Sequence, residues 1–359
     1  MKPPRLIRTL VVDDSALARK MITDSLANRP GIEIVGTAVD PYVARDKILA
    51  LKPDVITLDI EMPRMDGITF LKILMKHKPL PVIVMSSLTP EGSDRALEAL
   101  EAGAVDVMHK PRGSFSASAD GTVLAEKIVA AAMSRPRWIA ENLVGNNGIG
   151  ASRNAGISPG NPRDLILIGA STGGTEALKE VLMQLPATLP GICIVQHIPA
   201  HFSKAFANRL NQLSALEVKE ARSGEEVTRG KVLIAPGGQH MVLRWTGSNH
   251  VVQLNEGPTV HHQRPAVDVM FDSAVRAGSG PHTLAILLTG MGIDGAAGML
   301  ALRKAGASTV AQNEATCVVF GMPKEAIRIG AARHVAPLHQ IPQLMINHAR
   351  SGMAAAAAA

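Results

Sequence analysis

A chain of 359 residues, 46% hydrophobic and 19% charged, has ordinary globular usage but is long for one core, so two domains are expected. No apolar run approaches the roughly 18 residues of a membrane span, the stretch before Asp13-Asp14 is too short for a signal-peptide core, and Cys193 and Cys317 make no disulfide framework, so a cytoplasmic protein is expected. The net charge of +6 lies outside residues 1–130, where 17 basic and 17 acidic residues balance; it favours acidic partners, and with aromatics at 3% and no recognition-helix or zinc-finger spacing, nucleic-acid binding is not expected.

In chain order, 6–12, 32–38, 55–58, 82–85 and 105–108 read as strands, and stretches near 16–27, 43–51, 67–76, 94–102 and 122–133 as helices. This alternation implies parallel strands joined by right-handed helical crossovers, five βα units in a flavodoxin-like order. Residues 134–162 lose hydrophobic periodicity and carry Gly145, Gly148, Gly150, Pro159 and Pro162, a linker pattern with an apolar face at Trp138-Ile139 and Leu143-Val144. A second alternation follows, with strands near 165–169, 191–196, 232–235 and 284–289, a hairpin-like pair near 241–245 and 250–254, and helices near 174–185, 201–213, 266–277 and 295–305. Val267, Met270, Phe271, Ala274 and Val275 repeat at the spacing of a core stripe. The expected organisation is an α/β chain with two doubly wound parallel-sheet domains at 1–133 and 163–350, a linker at 134–162, and a low-complexity alanine tail at 351–359.

Chemistry-bearing residues gather where the first set of strands ends. Strand one runs into Asp13-Asp14, strand three into Asp59, strand four into Ser86-Ser87, and strand five into His109-Lys110. In a doubly wound sheet these ends share one edge. Three carboxylates there repel one another, which a hard dication relieves, and oxygen ligands suit Mg²⁺. A carboxylate beside Mg²⁺ can take a phosphoryl group as an acyl phosphate, with a lysine and a hydroxyl holding its oxygens. Singly the residues have plainer readings: Asp14 as a helix cap, Lys110 as a solvated charge. Together, over about residues 5–125, they resemble the receiver domain of bacterial two-component response regulators. The resemblance implies Asp59 as phospho-acceptor, Asp13 and Asp14 completing the metal site with Asp59, and Ser86 and Lys110 as the groups that sense the phosphoryl. Met62-Pro63 and Asp66-Gly67 match the loop after the acceptor, whereas Val107 stands where many receivers carry Tyr or Phe.

The second alternation opens on Leu165–Ile168 followed by Gly169-Ala170-Ser171-Thr172-Gly173, a G-x-S-x-G turn that lifts a serine at the carboxyl edge of a sheet. Serine needs a base, and the base an orienting acid. His197 ends the next strand, and Asp294 lies in the glycine-rich loop after the strand near 284–289, so three roles sit at three strand ends. The order Ser, His, Asp differs from that of the α/β-hydrolases. A dinucleotide loop would carry glycine at Ser171 and an acid where Gln196-His197 stands. His197 also reads as a core histidine, Asp294 as a turn former, and His201, His240, His261 and His262 as rival bases, while a His261-His262 metal pair lacks the helical H-E-x-x-H pattern.

Residues 169–174, 195–198, 234–238, 262–268 and 289–295 resemble the chemotaxis protein-glutamate methylesterases, over about residues 163–348. The resemblance implies Ser171 as nucleophile, His197 as base then acid, Asp294 as orienter, a Met291 N–H for the oxyanion and Thr172 beside His197. It implies a Rossmann-like serine hydrolase that needs no cofactor for the ester reaction, with Mg²⁺ serving only the receiver. The implied substrates are glutamate methyl esters, and certain glutamines, on chemoreceptor cytoplasmic domains; the implied phosphodonor is the chemotaxis histidine kinase. The first domain is expected to restrain the serine site until Asp59 is phosphorylated. The competing expectation is a receiver-linked regulator that binds without catalysis.

Overall fold

Aliphatic runs become strands here because helices bury them on both faces, and the amphipathic stretches between them become those helices. The computed structural model describes residues 5–87, 89–110, 119–134 and 161–357. The chain divides into two compact units, Met1–Ala140 and Glu141–Ala359. Most of the expected linker lies outside the described residues.

In the first unit β1 (Ile7–Val12), β2 (Ile32–Ala38), β3 (Val55–Asp59), β4 (Val82–Ser86) and β5 (Asp106–His109) pair in parallel in the order β2-β1-β3-β4-β5. That is the flavodoxin-like order, with its switch point between β1 and β3. The connecting helices are α1 (Ala16–Leu26), α2 (Pro41–Leu51), α3 (Gly67–His77), α4 (Pro90–Glu101) and α5 (Ala119–Met133). α2, α4 and α5 begin earlier than hydrophobic spacing indicates, and for the first two a cap explains it. The Asp40 carboxylate accepts the Tyr42 and Val43 N–H groups ahead of α2, and the Thr89 hydroxyl accepts Gly92 N–H ahead of α4, each with proline in the first turn.

In the second unit a seven-stranded sheet is parallel throughout, in the order β15-β14-β13-β6-β7-β10-β8. Its strands are β6 (Leu165–Ala170), β7 (Gly191–Gln196), β8 (Glu217–Glu220), β10 (Lys231–Ile234), β13 (Thr283–Leu287), β14 (Ser308–Gln312) and β15 (His334–Ala336). The succession β6, β7, β10 runs one way and β13, β14, β15 the other, as in a Rossmann-like fold. The crevice outside the carboxyl ends of β6 and β13 is therefore the natural binding place. The expected hairpin forms as β11 (His240–Trp245) and β12 (His250–Asn255), and joins β9 (Glu226–Val227) in a separate antiparallel sheet. The helices are α6 (Gly174–Leu182), α7 (Phe202–Leu213), α8 (Val267–Arg276), α9 (Ala296–Lys304), α10 (Met322–Arg328) and α11 (Ile341–Ala357). Sequence reading missed β8, β9, β14, β15, α10 and α11. β8 and β15 each bury few residues, and β14 mixes polar with apolar positions, so their periods are weak. The terminal helix runs into the alanine segment, in keeping with alanine's helix propensity.

Among the described residues no helix is long and apolar enough to cross a membrane. The stripe on α8 packs as its spacing indicates: Val267, Met270, Phe271 and Ala274 are fully buried in one cluster with Leu167, Val195, Leu287 and Met299. Because Phe271 is a large side chain fully buried in that cluster, Phe271→Ala should destabilise the second unit by about 3–5 kcal/mol, read as a lowered urea midpoint for its transition.

Candidate functional site

The first unit brings every expected acidic residue to one edge. Asp59, fully buried at the end of β3, accepts the Glu61 N–H at 2.9 Å and the Lys110 ammonium at 2.7 Å. Asp13 is fully buried too: one oxygen accepts the Ser15 N–H at 2.8 Å, and the other, Oδ2, is buried without a hydrogen-bond partner. Asp14 is exposed and does not cap α1; Ser15 does, by accepting the Ala18 N–H. One carboxylate oxygen from each of Asp13, Asp14 and Asp59 lies within 4.8 Å of the other two. Gly67 is required behind them, since a Cβ there would stand 2.0 Å from the Asp59 carbonyl oxygen.

Burial, with the nearby Asp13 charge adding to it, pushes the Asp59 carboxyl up to about 7 despite the Lys110 hydrogen bond. Asp13 is also raised, chiefly by burial. Burial works to lower Lys110, but its bond to Asp59 and the surrounding carboxylates outweigh that and raise it. An orphaned buried oxygen and a close set of hard donors fit a divalent cation such as Mg²⁺. The Ser86 hydroxyl donates to the Gly92 carbonyl of α4 at 2.7 Å. Val107 is buried in β5.

In the second unit Ser171 follows β6 directly. Its N–H donates to the Thr289 carbonyl at 3.0 Å, and its own carbonyl accepts the Gly174 N–H at 2.7 Å, closing the turn into α6. Gly173 occupies the left-handed region at φ 77°, where a side chain would be strained. The loop after β13 comes so close that a Cβ on Gly290 would stand 2.7 Å from the Ser171 Cβ. Ala170 and Gln196 are partners in register, which sets Ser171 and His197 side by side at the sheet edge. Gln196 was not singled out from sequence; its amide nitrogen donates to the Ser171 carbonyl at 2.8 Å and the His197 carbonyl at 3.2 Å, tying the two together.

His197 Nε2 lies 2.8 Å from Asp294 Oδ2, with both side chains buried. Asp294 is no mere turn former. Its Oδ2 also accepts the Val267 N–H at 2.7 Å, and its Oδ1 the Asp268 N–H at 2.9 Å. These are first-turn amides of α8, whose N-cap residue, Ala266, has no oxygen to offer them. Burial opposes the charge on Asp294, but the His197 bond and the two amides outweigh it and hold its carboxyl below the usual range. Among the described residues the Ser171 hydroxyl makes no hydrogen bond, and Nδ1 is the ring nitrogen of His197 left to serve it. Unliganded sites commonly hold such pairs loosely. Thr172 is buried, its carbonyl accepting the Thr289 hydroxyl at 3.0 Å. Met291 lies partly exposed on the loop between Gly290 and Gly292, its N–H without an acceptor among the described residues.

The rival histidines fall into other roles. His240 is buried, with Nε2 2.9 Å from the Pro258 carbonyl and Nδ1 accepting the Ala266 N–H. His201 occupies the left-handed region ahead of α7. His261 meets Asp268 at 3.0 Å, a contact that sequence spacing does not reveal because it spans a tight turn and a helix start. Cys193 is fully buried, which raises its thiol and leaves it inert.

The Asp59 carboxyl, near 7 when folded and 3.8 when unfolded, makes the folded state bind an extra proton between those values. That contribution to stability is full below the unfolded value and lost as pH rises through the folded one. Without divalent ions, the thermal midpoint of the first unit should therefore fall from acidic to neutral pH more steeply than in Asp59→Asn, and added Mg²⁺ should restore it at neutral pH in the wild type.

A family model described as CheB methylesterase matches residues 166–345, and one described as response regulator receiver domain matches residues 9–115. Over 335 residues the chain is 53% identical to the protein-glutamate methylesterase/protein-glutamine glutaminase 2 of Syntrophus aciditrophicus, spanning 93% of this chain and 97% of that relative. It is 49% identical over 356 residues to protein-glutamate methylesterase/protein-glutamine glutaminase 4 of Anaeromyxobacter dehalogenans, spanning 96% of both. The crystal structure of the Thermotoga maritima CheB methylesterase catalytic domain is similar over 51% of this chain and 97% of that one, at 40% identity and a TM-score of 0.50. With parallel sheets of the two matching kinds and similarity along nearly its whole length, the chain belongs to the CheB methylesterase family, in the form that joins a response regulator receiver domain to the methylesterase domain.

Proposed function

We propose that the chain hydrolyses glutamate methyl esters on the cytoplasmic domains of chemoreceptors, and deamidates certain of their glutamines, under control of phosphorylation at Asp59. The domain at 163–350 performs the hydrolysis and the domain at 1–133 receives the phosphoryl group, in the cytoplasm, from a chemotaxis histidine kinase. The observation that carries this reading is the buried His197–Asp294 pair at 2.8 Å, set on strand ends beside the Ser171 turn.

The chemistry is acyl transfer to water. Ser171 Oγ attacks the ester carbonyl while His197 Nδ1 takes its proton. Asp294, held ionised on Nε2 and at the α8 amides, stabilises the imidazolium that forms. The Met291 N–H, on a loop that glycines on either side leave free to present its backbone, faces the developing oxyanion, a contact typically worth about 2.7–4 kcal/mol in the transition state. His197 returns the proton to the departing methoxide and methanol leaves. The imidazole then draws a proton from water, the hydroxide attacks the glutamyl ester, and Ser171 is released with a free glutamate carboxylate. A glutamine amide follows the same route with ammonia leaving. Thr172, buried next to Ser171, helps keep the turn in place.

In the receiver domain Asp59 accepts the phosphoryl group, and Asp13 and Asp14 hold Mg²⁺ with it. Bound there, the cation offsets the charge of the carboxylates and of the phosphoryl oxygens. Lys110 already reaches Asp59 and is positioned to hold a phosphoryl oxygen. Ser86 must release the Gly92 carbonyl to do the same.

Methanol release from methylated receptor should vanish in Ser171→Ala and fall roughly 10⁴-fold in kcat for Asp294→Asn, whose ring partner would then favour the wrong tautomer. Full output from Ser171→Ala would instead mean a regulator that binds without catalysis. Acetyl phosphate with Mg²⁺ should stimulate the wild type and leave Asp59→Asn at its basal rate; equal stimulation of both would place the phospho-acceptor elsewhere.

A further inference from the structure

Behind Asp294 stands a second carboxylate with its own histidine. Asp268 lies in the first turn of α8, and its backbone N–H is one of the two that hold Asp294. Its side chain accepts the Gly298 N–H of α9 at 2.7 Å on Oδ1 and meets His261 Nε2 at 3.0 Å on Oδ2. A Cβ on Gly298 would stand 2.7 Å from the Phe271 Cβ and 3.0 Å from Asp268 Oδ1, so glycine there is what lets α9 reach this carboxylate. One atom each from His261, Asp268 and Asp294 falls within a span of 4.8 Å.

The turn that delivers His261 is itself strained. Val260 and Gln263 exchange backbone hydrogen bonds of 3.1 and 2.9 Å around two residues, His261 at φ 51° and His262 at φ 60°. Both central positions are left-handed, a turn that favours Asn-Gly, yet this chain places two histidines in it. Strain of this kind persists where the surroundings over-determine it, and here it aims the His261 ring at Asp268.

Resting on the Ser171–His197–Asp294 reading, we propose that Asp268 and His261 are positioning residues for the hydrolysis: an outer carboxylate–imidazole pair that fixes the α8 turn gripping Asp294 and sets the charge felt by His197. The titratable groups that bear on Asp268 are His261 and Asp294, the latter in turn bonded to His197; Arg264, on the same segment, gives its guanidinium to the Glu256 and Gly257 carbonyls instead. Burial raises the Asp268 carboxyl, and the nearby Asp294 charge adds to it. An N–H donated by His261 Nε2 to Asp268 works against that rise and keeps the outer carboxylate in its geometry.

The test is the pH dependence of kcat/KM for methanol release from methylated receptor, using the full chain with acetyl phosphate and Mg²⁺. Asp268→Asn keeps the volume and removes a negative charge, so imidazolium at His197 becomes less favoured. Its kcat should fall roughly tenfold with KM unchanged, and the acid limb should move to lower pH. His261→Ala should lower kcat by a similar factor, and His261→Gln, which keeps an N–H donor at the same reach, should restore it. His262→Ala, in the same turn, should keep the wild-type acid limb. Wild-type kcat and acid limb in Asp268→Asn, or equal impairment in His261→Gln and His261→Ala, would overturn the proposal. A loss of activity matched by lowered thermal stability with an unmoved acid limb would reduce the pair to a structural role and overturn it too. Ser171→Ala run alongside separates the two levels: activity surviving there removes the hydrolase reading itself, whereas activity lost there with wild-type behaviour in the outer-pair variants removes only this inference.

Discussion

The Asp294 carboxylate is the constraint around which the second unit is organised. It is buried, and a buried charge is tolerated only when its oxygens are met by donors. Here the donors are one imidazole and two first-turn amides of α8. The same contacts supply the cap that Ala266 cannot, so a helix start and a hydrolytic centre share one set of bonds. Tight packing follows from this. The α8 stripe must seat on β6 and β13 for the amides to reach, and Gly169 permits it, since a Cβ there would lie 2.4 Å from a Val267 methyl.

The first unit solves the opposite electrostatic problem. Asp294 is surrounded by donors and stays charged, whereas Asp59 and Asp13 are buried together with too few. Both oxygens of the Asp294 carboxylate are met by donors, whereas Asp13 leaves one oxygen unmatched. A stable carboxylate suits a residue that must orient an imidazole through every turnover. An under-satisfied pair suits one that binds a cation and a phosphoryl group transiently. Both stand at the carboxyl edge of a parallel sheet near a switch point, where adjacent loops diverge and leave room for a ligand.

Much of this was legible in the chain because the informative segments are strongly patterned. Buried parallel strands are continuous apolar runs, and Ile192–Gln196 or Val55–Asp59 could be read from that alone. Their ends then place Asp59, Lys110, Ser171 and His197 without coordinates. Short or edge strands such as Glu217–Glu220 and His334–Ala336 stayed hidden, since their few buried positions leave no period to detect. The early starts of α2 and α4 were present as Asp40-Pro41 and Thr89-Pro90, cap-and-proline signals that outrank hydrophobic spacing at a helix N-terminus.

Residue order by itself determined the two sheets, their parallel sense and the sheet edges that carry chemistry, because local periodicity and right-handed crossovers leave few alternatives. Only tertiary structure decided which nitrogen of His197 meets Asp294, that Asp294 caps α8, that Gln196 ties serine to histidine, and that His261 reaches Asp268. Those contacts join segments far apart in the chain or across a strained turn. Their existence depends on ångström-scale approach between packed elements, which no repeat in the sequence encodes.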